Sequence, residues 1–182
     1  CREDSMSESA GPMLPVSNYA AGKIGSEAFV SAFCNMYGLR GWMFRFGNVI
    51  GGRMTHGVIV DFIERLTDDP KKLVIYGDGK QTRSFCYVDD TVEGLLRLMK
   101  SDFQNPLNIG NPEELTIQEL AELIRESIDN ELEIVYEPFP EDDPKKRCPD
   151  ISLAMEILGW APKKSLRDGL IPTINWFRSR IL

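Results

Sequence analysis

Three things are missing from this 182-residue sequence. No run approaches the ~20 consecutive apolar residues of a membrane-spanning helix. The four cysteines, Cys1, Cys34, Cys86 and Cys148, lie far apart, and no Cys-x-x-Cys pair occurs. His56 is the sole histidine, so no second imidazole can complete a zinc-type centre and no metal is expected. Scattered thiols of this kind read as reduced and buried or incidental, which fits a cytoplasmic protein. Positive charge is also short. The net charge is −7, which excludes a general nucleic-acid binder, because phosphate backbones demand basic surfaces. A small anion stays possible, since two or three well-placed arginines suffice for it.

Further absences concern the start of the chain. The opening "CREDSMSESAGPMLP" is polar and lacks the apolar stretch of a signal peptide. It has no initiator methionine, so a fragment of something longer is expected. Neither G-x-G-x-x-G nor a Walker A loop occurs, and "GNVIGG" follows a strand-like run with the wrong glycine spacing.

What is present is ordinary for a globular protein: 42% hydrophobic and 27% charged residues. That length suits one domain, or one domain and part of another. From Tyr19 to Tyr37, Tyr19, Lys23, Ala28, Val30, Phe33 and Met36 recur at helical spacing, and Gly38 is a natural stop. "GWMFRFGNVIGG" reads as a buried strand entering a Gly-rich loop. "GVIVDFIERLTDD" is an amphipathic helix with Val58, Phe62, Ile63 and Leu66 inward. "LVIYGDGKQTRSFCYV" is two strands about a Gly/Asp turn, in the manner of a hairpin.

A helix follows, opened by Asp89 or Asp90. "PLNIGN" and "LEIVYEPF" are strands, and Thr116 with Glu119 forms a capping box for the helix between them. Asp150 caps "ISLAMEILGW", ended by Gly159. Ser165 with Asp168 opens a last helix, in which Pro172 is awkward. Helices alternate with strands, so the class is α/β.

Two stretches read Tyr-x-x-x-Lys. On a helix, i and i+4 share a face about 5–6 Å apart. A neighbouring ammonium favours phenolate over phenol, so such a tyrosine can take a proton from a sugar hydroxyl. Tyr19–Lys23 in "SNYAAGK" has helical neighbours. Tyr76–Lys80 in "YGDGK" has turn chemistry between its ends, so its side chains need not face each other. Spacing alone leaves an amphipathic helix start with an exposed lysine as the alternative for Tyr19–Lys23.

The segment "SNYAAGKIGSEAFVSAFCNMYGLRGWMFRFGNVIGGR" resembles the second half of an extended short-chain dehydrogenase/reductase of the nucleotide-sugar epimerase, dehydratase and decarboxylase group. That pattern is Ser-x-Tyr-x-x-x-Lys, a long helix, then Arg-x-x-Asn-x-x-Gly. "HGVIVDFIERL", "YGDGKQTRSFCYVDD", "LNIGNPEELTIQELAELI" and "DDPKKRCPDISLAMEILGWAPKKSLRDGL" follow in the family's order.

The resemblance implies NAD as cofactor, a UDP-sugar as substrate and a homodimer built on the Tyr-bearing helix. It makes Tyr19 the catalytic base, with Lys23 tuning it and holding the nicotinamide ribose, and Phe46 beside the cofactor. Ser17 either belongs to that pattern or only starts the helix. For the substrate it implies Arg83 and Arg147 at the nucleotide or its phosphates, since forked permanent cations suit a diphosphate. Asn48 matches a phosphate-contacting asparagine. Ile75 or Tyr76 packs on the base or fills core, and Val58 lines the nucleotide pocket or is core. Asp150 contacts a ribose or caps a helix. Arg53 stands where the family often has Gly-Pro-Arg, and here the proline is missing.

The family's glycine fingerprint and the acidic residue for the adenosine ribose are absent. The expected organisation is therefore residues 1–56 as the end of a Rossmann-type doubly wound domain. Residues 57–182 form a smaller α/β substrate domain, with 81–110 crossing back to the Rossmann sheet. By themselves these residues are expected neither to hold NAD well nor to turn over. The first functional expectation is a 4-epimerase. A UDP-glucuronate decarboxylase is the alternative, favoured by "DDPKKRCPDIS" and "LGWAPK", and a 4,6-dehydratase the third. A non-catalytic nucleotide-sugar-binding module is the reading from outside enzymology.

Overall fold

The computed structural model describes residues 6–15, 17–138 and 148–180. It is mixed α/β with mainly parallel strand pairs. Helix α1 spans Asn18–Tyr37. Its N-terminus is closed by the Ser17 side chain, which accepts from the Ala20 N–H. Its C-terminus is closed by Gly38, whose left-handed φ of 63° suits glycine.

The chain then runs through β1 (Phe44–Phe46) and β2 (Asn48–Ile50). Gly47 separates them, and there the chain changes partner. β1 pairs in parallel with β5 (Leu107–Ile109), whereas β2 pairs in parallel with β4 (Thr82–Tyr87). At the bend Gly47 lies against Gly110, and a Cβ on Gly110 would stand 2.7 Å from Pro149 and 3.4 Å from the Gly47 nitrogen. Only glycine permits that approach, and the bend delivers Asn48 to its place.

Helix α2 (Val58–Asp68) buries Ile59, Val60, Phe62, Ile63 and Leu66. Val58, expected inward, is only half-buried. Strand β3 (Lys72–Tyr76) does not form a hairpin with β4. It pairs in parallel with β7 (Glu133–Glu137), and β4 pairs with β2 and, antiparallel, with β6 (Glu114–Thr116). The Gly/Asp turn between β3 and β4 is real, with Gly77 and Gly79 at positive φ, but it passes the chain between sheets.

Helix α3 (Val88–Lys100) has Tyr87 at its N-cap, with Asp89 and Asp90 inside the first turn rather than at the cap. Helix α4 (Ile117–Ile128) opens with the expected capping box of Thr116 and Glu119. Helices α5 (Ser152–Leu158) and α6 (Leu166–Arg178) complete the fold, with Gly159 capping the first and Pro172 lying within the second. Strands from the 81–110 region lie beside those of 44–50.

Two apolar cores result. One joins α2, β3, α4 and α6 around Phe62, Leu73, Leu120 and Phe177. The other gathers Cys86, Leu98, Leu107, Ile109, Ile151 and Ala154 on Trp160. Helix α1 contributes to neither, because none of its residues is buried, and Phe29, Phe33, Met36 and Tyr37 are exposed. No helix among the described residues is long and apolar enough to cross a membrane.

Candidate active site

A groove of about 1640 Å³ opens between α1, the Gly47 bend, α2 and β3. It exceeds the roughly 300–1,000 Å³ of a pocket for one drug-sized ligand. Among the described residues five cationic side chains line it, Lys23, Arg45, Arg53, Arg65 and Arg83, against two carboxylates, Glu27 and Asp61. In a chain of net charge −7 that is a local reversal of sign. Such a cleft attracts an anion.

Tyr19 and Lys23 stand one helical turn apart on α1, with the Lys23 ammonium 5.5 Å from the Tyr19 ring centroid. Both line the groove, and Tyr19 is 75% exposed. Ser17 caps the helix and is not part of the lining. The second Tyr-x-x-x-Lys has no such geometry. The Asp78 carboxylate accepts the Lys80 N–H at 3.0 Å in a turn.

Phe46, Asn48, Arg53, Val58, Tyr76 and Arg83 also line the groove. The Asn48 side-chain amide donates to the Ser84 carbonyl at 2.9 Å, which ties β2 to β4 through a side chain. Arg83 is 7% exposed and donates to the Thr82 carbonyl at 2.8 Å. Arg53 has φ of 68°, a left-handed conformation uncommon outside glycine. Strain of this kind persists where the surrounding structure holds it, and it gathers at ligand sites.

The structure corrects two placements. Strand alternation puts Val74 and Tyr76 on the groove, while Leu73 and Ile75 are fully buried in the core. Ile75 therefore cannot meet a base. Asp150 is not in the lining; its carboxylate accepts the Ser152 N–H at 2.9 Å at the start of α5. Hydrogen bonds from the Ser152 hydroxyl, and secondarily from its N–H, hold the Asp150 pKa below the ordinary aspartate range. The N-cap of α5 is Ile151, one residue after the expected cap. Arg147 lies outside the described residues.

Two groove residues were not expected at the site, although Arg45 opens the Arg-x-x-Asn-x-x-Gly pattern. Arg65 lies over the Tyr76 ring, 4.5 Å from the centroid, and covers one face of it. Arg45 grips Glu27 on α1. The spacing Lys23–Glu27 is again i to i+4, and could have drawn attention to Glu27.

The site thus sets a helical Tyr–Lys pair over a basic groove on a Rossmann-type α/β scaffold. The GDP-mannose 4,6 dehydratase family profile matches residues 2–173. The chain belongs to that family. Among curated proteins it is 44% identical over 173 residues to UDP-glucuronic acid decarboxylase 1 of Arabidopsis thaliana, covering 94% of this chain and 40% of the relative. It is 39% identical over 169 residues to UDP-glucuronic acid decarboxylase 1 of Danio rerio, covering 91% and 40%.

Among solved structures, a UDP-glucose 4-epimerase from Thermotoga maritima with UDP-glucose aligns at TM-score 0.90 and 33% identity, over 100% of this chain and 60% of its own. A Bacillus cereus UDP-glucuronic acid 4-epimerase, in complex with UDP-glucuronic acid and NAD, aligns at TM-score 0.87 and 25% identity, over 98% and 57%. This chain thus spans less than half the length of those curated relatives.

Proposed function

We propose that the protein carrying this chain is an NAD-dependent UDP-glucuronate decarboxylase. The observation that carries the reading is its sequence similarity to plant and animal UDP-glucuronic acid decarboxylases across nearly all of the chain. The 4-epimerase expectation takes second place. It keeps support from the epimerase structures that superimpose on the chain and from "SNYAAGK", which lacks the acidic residue that decarboxylases tend to carry after the tyrosine.

The groove fits the nicotinamide end of NAD. Lys23 and Tyr19 offer an ammonium and a phenol on one helix face, with Phe46 on the neighbouring strand, and these three would hold it. Bound there, NAD supplies the acceptor and later the donor of a hydride at the sugar's C4. The chain's own groups do the rest. Tyr19 takes the proton of the 4-hydroxyl as that carbon is oxidised, and the Lys23 charge stabilises the phenolate. Arg83 and Arg53 draw the diphosphate into the basic groove, Asn48 and Val58 line its path, and Arg147 is proposed to join them. Tyr76 forms a wall for the base with Arg65 behind it.

In a glucuronate the C4 ketone is β to the C6 carboxylate, so the C5–C6 bond breaks, CO₂ leaves, its electron pair passes into the C4 enolate, and C5 takes up a proton before the ketone is reduced. In a hexose no such carboxylate exists, so the ketone is either reduced again or, with an acid and a base at C5 and C6, loses water. The 4,6-dehydratase reading needs acid and base groups that the groove's described residues do not identify.

We place the division between Rossmann-type and substrate parts near residue 56, with β4 and β5 returning to the first part. We also propose a homodimer through the exposed apolar side of α1. The three described cysteines are free, which supports a reducing, cytoplasmic setting.

The test is product analysis. The full-length protein is incubated with NAD and UDP-glucuronate, and with UDP-glucose in parallel. Decarboxylation gives CO₂ and a UDP-pentose. Recovery of all six sugar carbons with C4 inverted would replace this reading by the epimerase. Tight UDP-sugar binding with no product and no dependence on NAD would favour a binding module.

A further inference from the structure

Helix α1 carries the Tyr19–Lys23 pair, yet none of its residues is buried. Among the described residues no buried apolar side chain of α1 sets its rotation. A polar grip is found instead. Glu27 lies one turn beyond Lys23 and two beyond Tyr19, so the three share a face. Arg45 on β1 donates from Nε to Glu27 Oε2 at 2.8 Å and from Nη2 to Oε1 at 2.6 Å. Its Nη1 donates to the Glu8 carbonyl at 3.0 Å, and the Met13 sulfur lies 3.8 Å from Nη2. The two side chains are only 25% and 27% exposed.

The network continues into the sheet. The Glu8 carboxylate accepts the Asn108 N–H at 2.8 Å. Asn108, the register partner of Arg45 on β5, donates from Nδ2 to the carbonyls of Met6 and Asp150 at 2.8 and 2.9 Å. Arg45 is thus braced by β1 and by the 6–13 segment, and only its grip on Glu27 reaches the helix.

We propose that Arg45 is a positioning residue, whose two-pronged bond to Glu27 sets the rotation and tilt of α1 so that Tyr19 and Lys23 face the groove. A forked pair fixes angle as well as distance, which a single ammonium does not. The lever is long. Tyr19 is eight residues from Glu27, about 12 Å along the axis at ~1.5 Å per residue. A tilt of about 10° at the anchor then moves Tyr19 by roughly 2 Å, and a ~1 Å misplacement can cost about 100-fold in rate.

The inference rests on Tyr19–Lys23 as the acid/base pair, and the experiment separates the two. In the full-length protein, with NAD and UDP-glucuronate, kcat and KM are measured for Glu27→Gln, Arg45→Lys, their double variant and Tyr19→Phe. Each single positioning variant should lower kcat about 10- to 100-fold while KM stays within about threefold. The double variant should be no worse than the worse single, since both break one bond. Wild-type kcat in Glu27→Gln, a KM that rises as kcat falls, or additive losses would overturn the positioning role. Should Arg45→Lys prove insoluble, the isosteric Glu27→Gln decides alone. Full activity in Tyr19→Phe would instead overturn the acid/base reading. An inactive Tyr19→Phe beside an unimpaired Glu27→Gln overturns only the inference about Arg45.

Discussion

Asp90 offers the sharpest test of how the C-terminal part is held. It sits in the first turn of α3 and is 6% exposed. Its Oδ2 accepts two backbone N–H groups, those of Lys163 at 3.1 Å and Lys164 at 2.9 Å. Its carbonyl accepts the indole N–H of fully buried Trp160 at 3.0 Å. Replacing Asp90 by Ala removes the carboxylate and leaves both N–H groups without that acceptor. Hydrogen bonds to a charged group are worth about 1.5–3 kcal/mol each. Because one oxygen serves both, the expected loss is about 2–4 kcal/mol rather than the full double.

Asp90→Asn keeps an oxygen in the same place and loses only the charge, so its cost should be about 1 kcal/mol. Urea unfolding followed by tryptophan fluorescence reads both, since Trp160 reports on this junction. The loss in Asp90→Ala should persist at high salt, because the lost bonds end on backbone amides. An Ala variant within about 0.5 kcal/mol of wild type, or an Asn variant as unstable as Ala, would refute the reasoning.

Three further outcomes follow from the same structure. Gly94→Ala should destabilise by about 1–2 kcal/mol in the same unfolding assay. The new Cβ would stand 3.0 Å from Trp160 and 3.2 Å from Ile109, both buried, and this overpacking outweighs the ~1 kcal/mol gain in helix propensity. Burial pushes the Cys86 thiol above its ordinary pKa, so iodoacetamide in mildly alkaline buffer should leave it unlabelled until urea unfolds the chain, as peptide mass spectrometry can read. Hydrogen bonds from Lys163 and Arg97 hold the Glu93 carboxylate below the ordinary glutamate range. Its contribution to stability is complete above that range and is lost as pH falls through the depressed folded value. Glu93→Gln should therefore flatten the acid side of the stability-against-pH curve and leave its neutral-to-alkaline side unchanged in shape.

Local signals carried most of the elements into view. Ser17 and Gly38 bound α1, and Thr116 with Glu119 opens α4, because caps are written within a few residues. Long-range pairing was not legible. The Gly/Asp turn after Tyr76 suggested a hairpin, but the partner of β3 is β7, where Leu73 meets Ile134. Asp90 looked like a helix cap because its sequence shows no trace of Lys163 and Lys164, which claim its carboxylate.

The alternation along β3 was visible in "LVIY", but not which face meets the groove. That face decided between Ile75 and Tyr76. The proximity of Tyr19 and Lys23 was legible because helical spacing alone brings the two together, whereas the acid/base reading came from the resemblance. The Arg45–Glu27 bond was not, since it joins a strand to a helix 18 residues away.

The most direct test of the account is Tyr19→Phe in the full-length protein, assayed for CO₂ release from UDP-glucuronate alongside calorimetric binding of UDP. The account predicts that turnover falls to background while UDP affinity stays at the wild-type value, because the phenol acts on the sugar and the nucleotide is held elsewhere in the groove. Undiminished CO₂ release from that variant would contradict it.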